Sequence, residues 1–243
     1  MPAKVGAVSD PVDVWVLRLT EDDHDRHGAA SGGLLAEVLR NYGMGTPELD
    51  RRCRLCGHPD HGKPRLVGSA DLDLSITHAG STLVVAVGRS HTVGIDVETA
   101  DRLRFDLRSA GGVFTTAESA LIAREQHWRL STVALWTRKE AVLKAIGWGL
   151  AYPLDEVRVA APGTAVFDGT AFEVEVDGEA FGVATFLLAS GEVLSVAAAS
   201  PWPGVRWASS ASALVTRPTG GRSAVVAAPR PGRLRHSESG SSP

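Results

Sequence analysis

The sequence predicts an α+β fold made of two pseudo-symmetric α/β halves with antiparallel sheets. Three observations carry this prediction. Short, β-branched, alternating runs are spread along the chain. Two segments with helix-cap signals sit together in its middle. Each half closes on what reads as a strand hairpin, near Glu98 and near Ala199. The halves share an order of elements but hardly any residues, so the duplication is one of pattern. A chain of 243 residues has room for such a pair. The expected division is a first half over 1–100, a second half over 101–205, and a tail over 206–243.

Residues 12–19 are β-branched and alternate, which predicts a strand. Residues 34–42 make a short amphipathic helix that Gly43 ends. Residues 53–64, rich in Cys, His, Gly and Pro, are a loop. Residues 82–88 and 92–98 are strands, joined across Arg89, Ser90 and His91 as a hairpin. Thr115, with Glu118 three residues on, reads as a capping box opening a helix to about Glu125. A second helix runs over 131–146, stopped by Gly147 and Gly149. Strands are expected at 154–160, 171–177, 182–189 and 193–199, the last two joined across Ser190, Gly191 and Glu192. From Pro201 the chain is Pro, Gly, Ser, Ala and Arg without periodicity; too little apolar area is available to offset ordering, and a disordered tail is expected.

Composition removes several function classes. Hydrophobic residues are 44% and charged residues 22%, the balance of a protein with a core. No apolar run approaches the ~20 residues that span a bilayer, and the N-terminus lacks the apolar stretch of a secretory signal. Two cysteines make no disulfide framework, so a reducing cytoplasm is expected. The net charge of −3 divides into +5 over 206–243 and −8 over the rest. So acidic a body argues against nucleic-acid binding.

Three segments carry chemistry. In Val93-Gly94-Ile95-Asp96-Val97-Glu98 the strand period of two puts Asp96 and Glu98 on one face, their Cα atoms about 6.5–7 Å apart. A hard divalent cation relieves their repulsion, and Mg²⁺ suits one or two carboxylates with phosphates and water; a solvent-facing acidic strand end explains the same pair. On the 131–146 helix, Trp136, Glu140 and Lys144 form one i, i+4, i+8 row. An acid beside a cation serves proton transfer and phosphate charge alike, and equally makes a plain ion pair. The third segment, Leu74-Ser75-Ile76-Thr77-His78-Ala79-Gly80, follows Gly62-Lys63-Pro64-Arg65. Hydroxyl, imidazole and small-residue turn can donate hydrogen bonds to a phosphate, though such a His is commonly structural.

In order, G-K-P-R, S-I-T-H-A-G, V-G-I-D-V-E and W-T-R-K-E-A-x-x-K-A-x-G resemble the motifs of the 4'-phosphopantetheinyl transferases, specifically the larger pseudo-dimeric monomers of the Sfp type. The resemblance is strongest over residues 60–155. It implies a Mg²⁺-dependent enzyme, a holo-[carrier-protein] synthase. This would move the phosphopantetheine arm of coenzyme A to a serine of an apo carrier protein and release 3',5'-ADP. Expected partners are carrier domains of peptide, polyketide or fatty acid synthases, met by a cytoplasmic monomer. By the same resemblance Asp96, Glu98 and Glu140 hold the metal, Glu140 also serving as base. Thr77 and His78 contact coenzyme A, Lys63 and Arg65 its phosphates, and Lys144 the pyrophosphate.

The chain departs from the family where a basic run is usual in the first half. Here it reads Asp22-Asp23-His24-Asp25-Arg26-His27-Gly28 and then Ser31-Gly32-Gly33, leaving Arg40, Arg51 or Arg52 as substitutes. The alternative reading is a catalytically weak module that binds coenzyme A or a carrier. Finally, Cys53-x2-Cys56-x-His58-x2-His61 offers ligand types that suit Zn²⁺. Its two pairs lie closer than structural zinc sites usually space them. The plainer expectation is a loop that packs its small Cys side chains and presents Gly62-Lys63-Pro64; a zinc-dependent nucleic-acid binder is the third reading, opposed by the acidic body.

Overall fold

The computed structural model describes residues 10–18, 27–100, 112–159, 167–208, 214–216 and 222–225, with backbone alone for 27–31 and beyond 208. The first sheet is built on β1 (Val12–Arg18), antiparallel to β5 (Thr82–Arg89), which pairs in turn with β4 (Leu72–Ala79). Helix α1 (His27–Arg40) covers its outer face: Leu34, Leu35, Val38 and Leu39 are buried against Trp15, Leu17, Leu83 and Val85. Two short strands, β2 (Leu49–Asp50) and β3 (Arg65–Leu66), pair across the cysteine loop.

The second sheet is antiparallel, in the order β6 (Val93–Thr99), β9 (Glu192–Ala199), β8 (Glu179–Leu187), β7 (Phe172–Val176). Its outer face carries α3 (Trp128–Ile146) and, beside that, α2 (Thr116–Arg124). Between the sheets lies a dry layer of Val12, Val14, Val84 and Ala86 against Val93, Ile95, Leu194 and Val196. The chain is thus stacked helix, sheet, sheet, helix, so that each sheet buries one face under a helix and the other against its fellow sheet. This is the α+β architecture with antiparallel sheets that the sequence predicts.

Several elements end where their chemistry says they should. Thr115 accepts from the N–H of Glu118, and the Glu118 carboxylate accepts from the N–H of Thr115, completing the capping box. Gly147, at φ 87°, caps α3.

Other expectations are corrected. Residues 82–98 are not a hairpin: β5 turns back on β4, while β6 crosses to the second sheet and pairs with β9, Asp96 opposite Ser195. A cut at 100/101 therefore separates β6 from its own sheet. The segment 154–160 holds a 3-10 turn, Leu154–Glu156, in place of the expected strand, because its carbonyls are taken by a buried lysine and not by a neighbouring strand. The tail cannot start at 206. Val205–Ala208 forms β10, parallel to β1, and Arg206 donates to the buried Asp13 at 2.5 and 2.9 Å. Farther on, β11 (Leu214–Thr216) and β12 (Arg222–Val225) pair with each other, and β12 with β1. The disorder expected over 226–243 falls outside the described residues.

The two sheets also meet edge to edge. Asp73, Ser75 and Thr77 of β4 accept, in turn, from the N–H groups of Val93 (2.8 Å), Ile95 (3.1 Å) and Val97 (3.3 Å) of β6. Side chains here replace a backbone ladder, and satisfy donors whose burial unpaired would cost about 1–3 kcal/mol each.

Candidate active site

That edge seam leads directly to a cluster of charges. Asp96, on β6, is 5% exposed. Its Oδ1 accepts from the hydroxyl of Thr77 at 3.0 Å and from Lys144 Nζ at 2.5 Å, and Lys144 also reaches Thr77 Oγ1 at 3.3 Å. Glu140, one turn before Lys144 on α3, is 7% exposed and looks into the same space. Asp96 Oδ2 and Glu140 Oε1 are buried without a hydrogen-bond partner. Burial, first, and then Asp96 push the Glu140 carboxyl up to about 7, with Lys144 opposing. Glu98 is raised for the same reasons, burial and then Asp96, against the pull of Lys144.

Close approach of α3 to β6 builds this cluster, and Gly94 permits it. A Cβ at Gly94 would lie 1.9 Å from the carbonyl oxygen of Ala141 and 2.4 Å from the nitrogen of Ala145. The rotation of α3 is fixed by buried polar contacts. Thr137 and Ser195 share a hydroxyl bond of 2.8 Å, Ser195 and Thr185 another of 3.1 Å, and Arg138 Nε donates to Thr185 at 2.8 Å. On the far side Lys139 spends its three donors on Glu118 (2.9 Å), Leu154 O (2.9 Å) and Val157 O (2.6 Å). Of the charged run Arg138-Lys139-Glu140, the first two anchor the helix and only Glu140 reaches the site.

A cavity of about 540 Å³ opens beside Glu140 and Lys144, its wall completed by the cysteine loop, Gly62-Lys63-Pro64, and the turn Gly147 to Ala151 after α3. Leu55 and Leu150, on its rim, are exposed.

The structure thus gathers five of the residues singled out in the sequence, Thr77, Asp96, Glu98, Glu140 and Lys144. The remaining three stand apart. Lys63 lines the cavity, but its ammonium is bonded to Asp73 and to the carbonyl of Ala145 (2.9 Å), joining the seam to the end of α3; burial lowers its pKa, against the attraction of Asp73. Arg65 is on β3, near Asp50 (3.9 Å) and the carbonyl of Arg52 (3.4 Å), away from the acids. His78 is exposed, and strand alternation turns it to the face of β4 opposite Thr77. Of the substitute arginines, Arg51 lines the cavity. The acidic stretch at 22–26 lies outside the described residues. Sequence reasoning misses Gly94, Ser75 and Asp73 as positioning residues. Gly inside a strand is the one available signal, since it often marks close backbone approach.

Carboxylates and a lysine converging at a cavity wall have the chemistry to hold a divalent cation and to face phosphate oxygens. Residues 92–184 match the sequence model of the 4'-phosphopantetheinyl transferase superfamily. A 4'-phosphopantetheinyl transferase of Bacillus subtilis is 33% identical over 137 residues, covering 56% of this chain and 58% of the relative. The 4'-phosphopantetheinyl transferase gsp of Aneurinibacillus migulanus is 31% identical over 125 residues, 50% of this chain and 51% of the relative. The 4'-phosphopantetheinyl transferase Sfp of Bacillus subtilis strain 168 is 28% identical over 139 residues, 56% and 58%. The chain spans between half and three-fifths of the length of these relatives. The matched segment begins at Thr92, just before β6, and ends within β8. Among the described residues no helix is long and apolar enough to cross a membrane.

Proposed function

We propose that this chain transfers the 4'-phosphopantetheine arm of coenzyme A to a serine hydroxyl of an apo carrier protein, releasing 3',5'-ADP. The observation that carries the proposal is the pair of buried carboxylate oxygens, Asp96 Oδ2 and Glu140 Oε1, that lack any hydrogen-bond partner beside Lys144. Buried unpartnered oxygens of this kind fit a hard cation, and the all-oxygen set of Asp96, Glu98 and Glu140 fits Mg²⁺. Bound there, Mg²⁺ would supply charge neutralisation to a pyrophosphate.

The chain's own groups then have distinct tasks. Lys144 faces the cavity and offers a cation to the pyrophosphate oxygens. Thr77 orients Asp96 and Lys144 together through its hydroxyl. Glu140, buried beside Lys144 at the cavity wall, takes the proton of the carrier serine. The serine oxygen forms its bond to the pantetheine-side phosphorus, the bond from that phosphorus to the bridging oxygen breaks, and the nucleotide leaves with the electron pair. Both walls of the site come from a single chain, which supports a working monomer. Consumption of coenzyme A and the small number of cysteines support a reducing, cytoplasmic setting. Carrier domains of peptide, polyketide or fatty acid synthases are the partners this reading names.

Intact-mass measurement of a panel of such carrier domains, incubated with coenzyme A, Mg²⁺ and the chain, tests the proposal. A gain of one phosphopantetheine group, abolished by chelation, is expected. Lys144→Ala should lose both coenzyme A affinity and rate. Binding of coenzyme A with no mass gain on any carrier would overturn transfer in favour of a binding module.

A further inference from the structure

The cysteine loop brings together more than its sequence spacing promises. Cys53, Cys56 and His61 each offer a ligand atom, and the three atoms lie within 4.8 Å of one another. The Sγ of Cys56 is 3.1 Å from Nε2 of His61. A tetrahedral zinc ion with its usual bonds to sulfur and nitrogen would hold such atoms roughly 3.5–3.8 Å apart, so the trio closes on an ion with shifts of a few tenths of an ångström to about one.

The backbone around them holds this arrangement. Cys53 donates to the carbonyl of His58 (2.8 Å) and accepts from Gly57 N–H (2.9 Å), Gly57 adopting φ 74° to close the turn. Backbone N–H groups of Cys56 and Leu55 point at the Cys53 sulfur, the arrangement that favours a thiolate ligand. Gly62 brings His61 back over the turn: its N–H bonds Arg51 O at 2.6 Å, and a Cβ there would sit 2.5 Å from the Arg52 carbonyl oxygen. His58 is not a fourth ligand here. Its ring stacks flat on that of His61, with centroids 4.8 Å apart, and its Nδ1 accepts from the N–H of Asp60 at 3.3 Å.

We propose that Cys53, Cys56 and His61 form a Zn²⁺ site, separate from the carboxylate cluster, with its fourth coordination position open to the cavity. Two thiolates and an imidazole are a zinc set and a poor magnesium set, whereas the acids across the cavity are the reverse. On binding, the two thiols release their protons to solvent and no redox change occurs. All three ligands line the cavity, so the ion pins the wall that ends in Gly62, Lys63 and Pro64. Metal uptake by this trio does not depend on whether the chain is a transferase.

The test uses the full chain, reduced and stripped of metal, titrated with Co²⁺ without oxygen. One Co²⁺ per chain should produce a near-ultraviolet sulfur-to-cobalt band and intense tetrahedral visible bands, both lost when Zn²⁺ is added. Cys56 and His61 are exposed, so Cys56→Ser and His61→Asn should keep the fold by circular dichroism, yet bind at least about tenfold more weakly. His58→Ala should keep the stoichiometry, and Asp96→Asn should keep the sulfur band. Absence of that band at one equivalent, its full persistence in Cys56→Ser, or its loss in Asp96→Asn would each overturn the site. So would an outcome in which Cys53 and Cys56 form only a disulfide in air and the reduced chain takes up no metal.

Discussion

Replacing Glu140 by Gln gives a measurement in which the site can be read without any substrate. In the metal-free protein the Glu140 carboxyl titrates near 7, against 4.5 for an ordinary glutamate, because it is buried beside Asp96. A tenfold change in proton affinity corresponds to 1.36 kcal/mol, so holding Glu140 ionised in the fold costs about 3 kcal/mol once pH exceeds both values. The sign follows from proton counting. Between pH 4.5 and about 7 the folded state holds a proton that the unfolded state has released, so stability falls as pH rises through that window. Gln does not titrate, and its constant amide contacts cancel when one variant is compared with itself at two pH values. The wild type, with chelator, should therefore lose about 2–3 kcal/mol more than Glu140→Gln between about pH 5 and pH 8, or roughly 5–10 °C in melting temperature for a chain this size. Thermal denaturation followed by circular dichroism at several pH values reads it directly. Mg²⁺ at about pH 8 should return stability to the wild type and not to the variant. Parallel pH profiles for the two proteins would refute the reasoning, because Glu140 would then bear no electrostatic strain.

Gly94→Ala should be worse than an ordinary overpacking change, beyond the usual cost of about 1–3 kcal/mol, since backbone and not side chain stands in the way; urea denaturation would show it, with Mg²⁺ stabilisation lost in whatever folds. Glu118→Gln strips the buried Lys139 of its counter-charge and should cost about 3–5 kcal/mol, while Arg124→Gln at the exposed end of α2 should cost almost nothing by the same measurement. A chain ending at Ala208 should melt above one ending at Gly204, because only the second loses β10 and leaves Asp13 buried without Arg206; equal melting temperatures would show that β10 adds nothing.

The parts of the fold legible in sequence are those governed by neighbours along the chain. The Thr115 capping box, the Gly147 stop, the β-branched run of β1 and the turn between β8 and β9 are local signals, and each appears within a few residues of its expected place. Strand partners are set by distant residues, and there local signals mislead. Residues 82–88 and 92–98 have a short polar connection that fits a hairpin, yet β6 finds its partner a hundred residues later in β9. The acid row is readable because i, i+4 and period-two geometry are themselves local. The tie of Lys63 to Asp73 and Ala145, and the placing of Thr77 with the acids while His78 turns away, depend on the seam between two sheets. Arg206 escapes a compositional argument, since one ion pair inside a Pro- and Ser-rich stretch leaves no periodic trace.

The seam of β4 side chains on β6 amide groups also governs how the two sheets can slide. A shift of one residue would set the Asp73, Ser75 and Thr77 side chains opposite Gly94 and Asp96, whose N–H groups point to β9, so only two-residue steps are open. One such step is about 6.5–7 Å, which would carry Asp96 beyond the reach of Thr77 and leave Lys144 divided between them. The alignment of the sheets and the assembly of the carboxylate cluster are therefore one condition: a molecule whose halves dock in the wrong frame would not bring Thr77, Asp96 and Lys144 together.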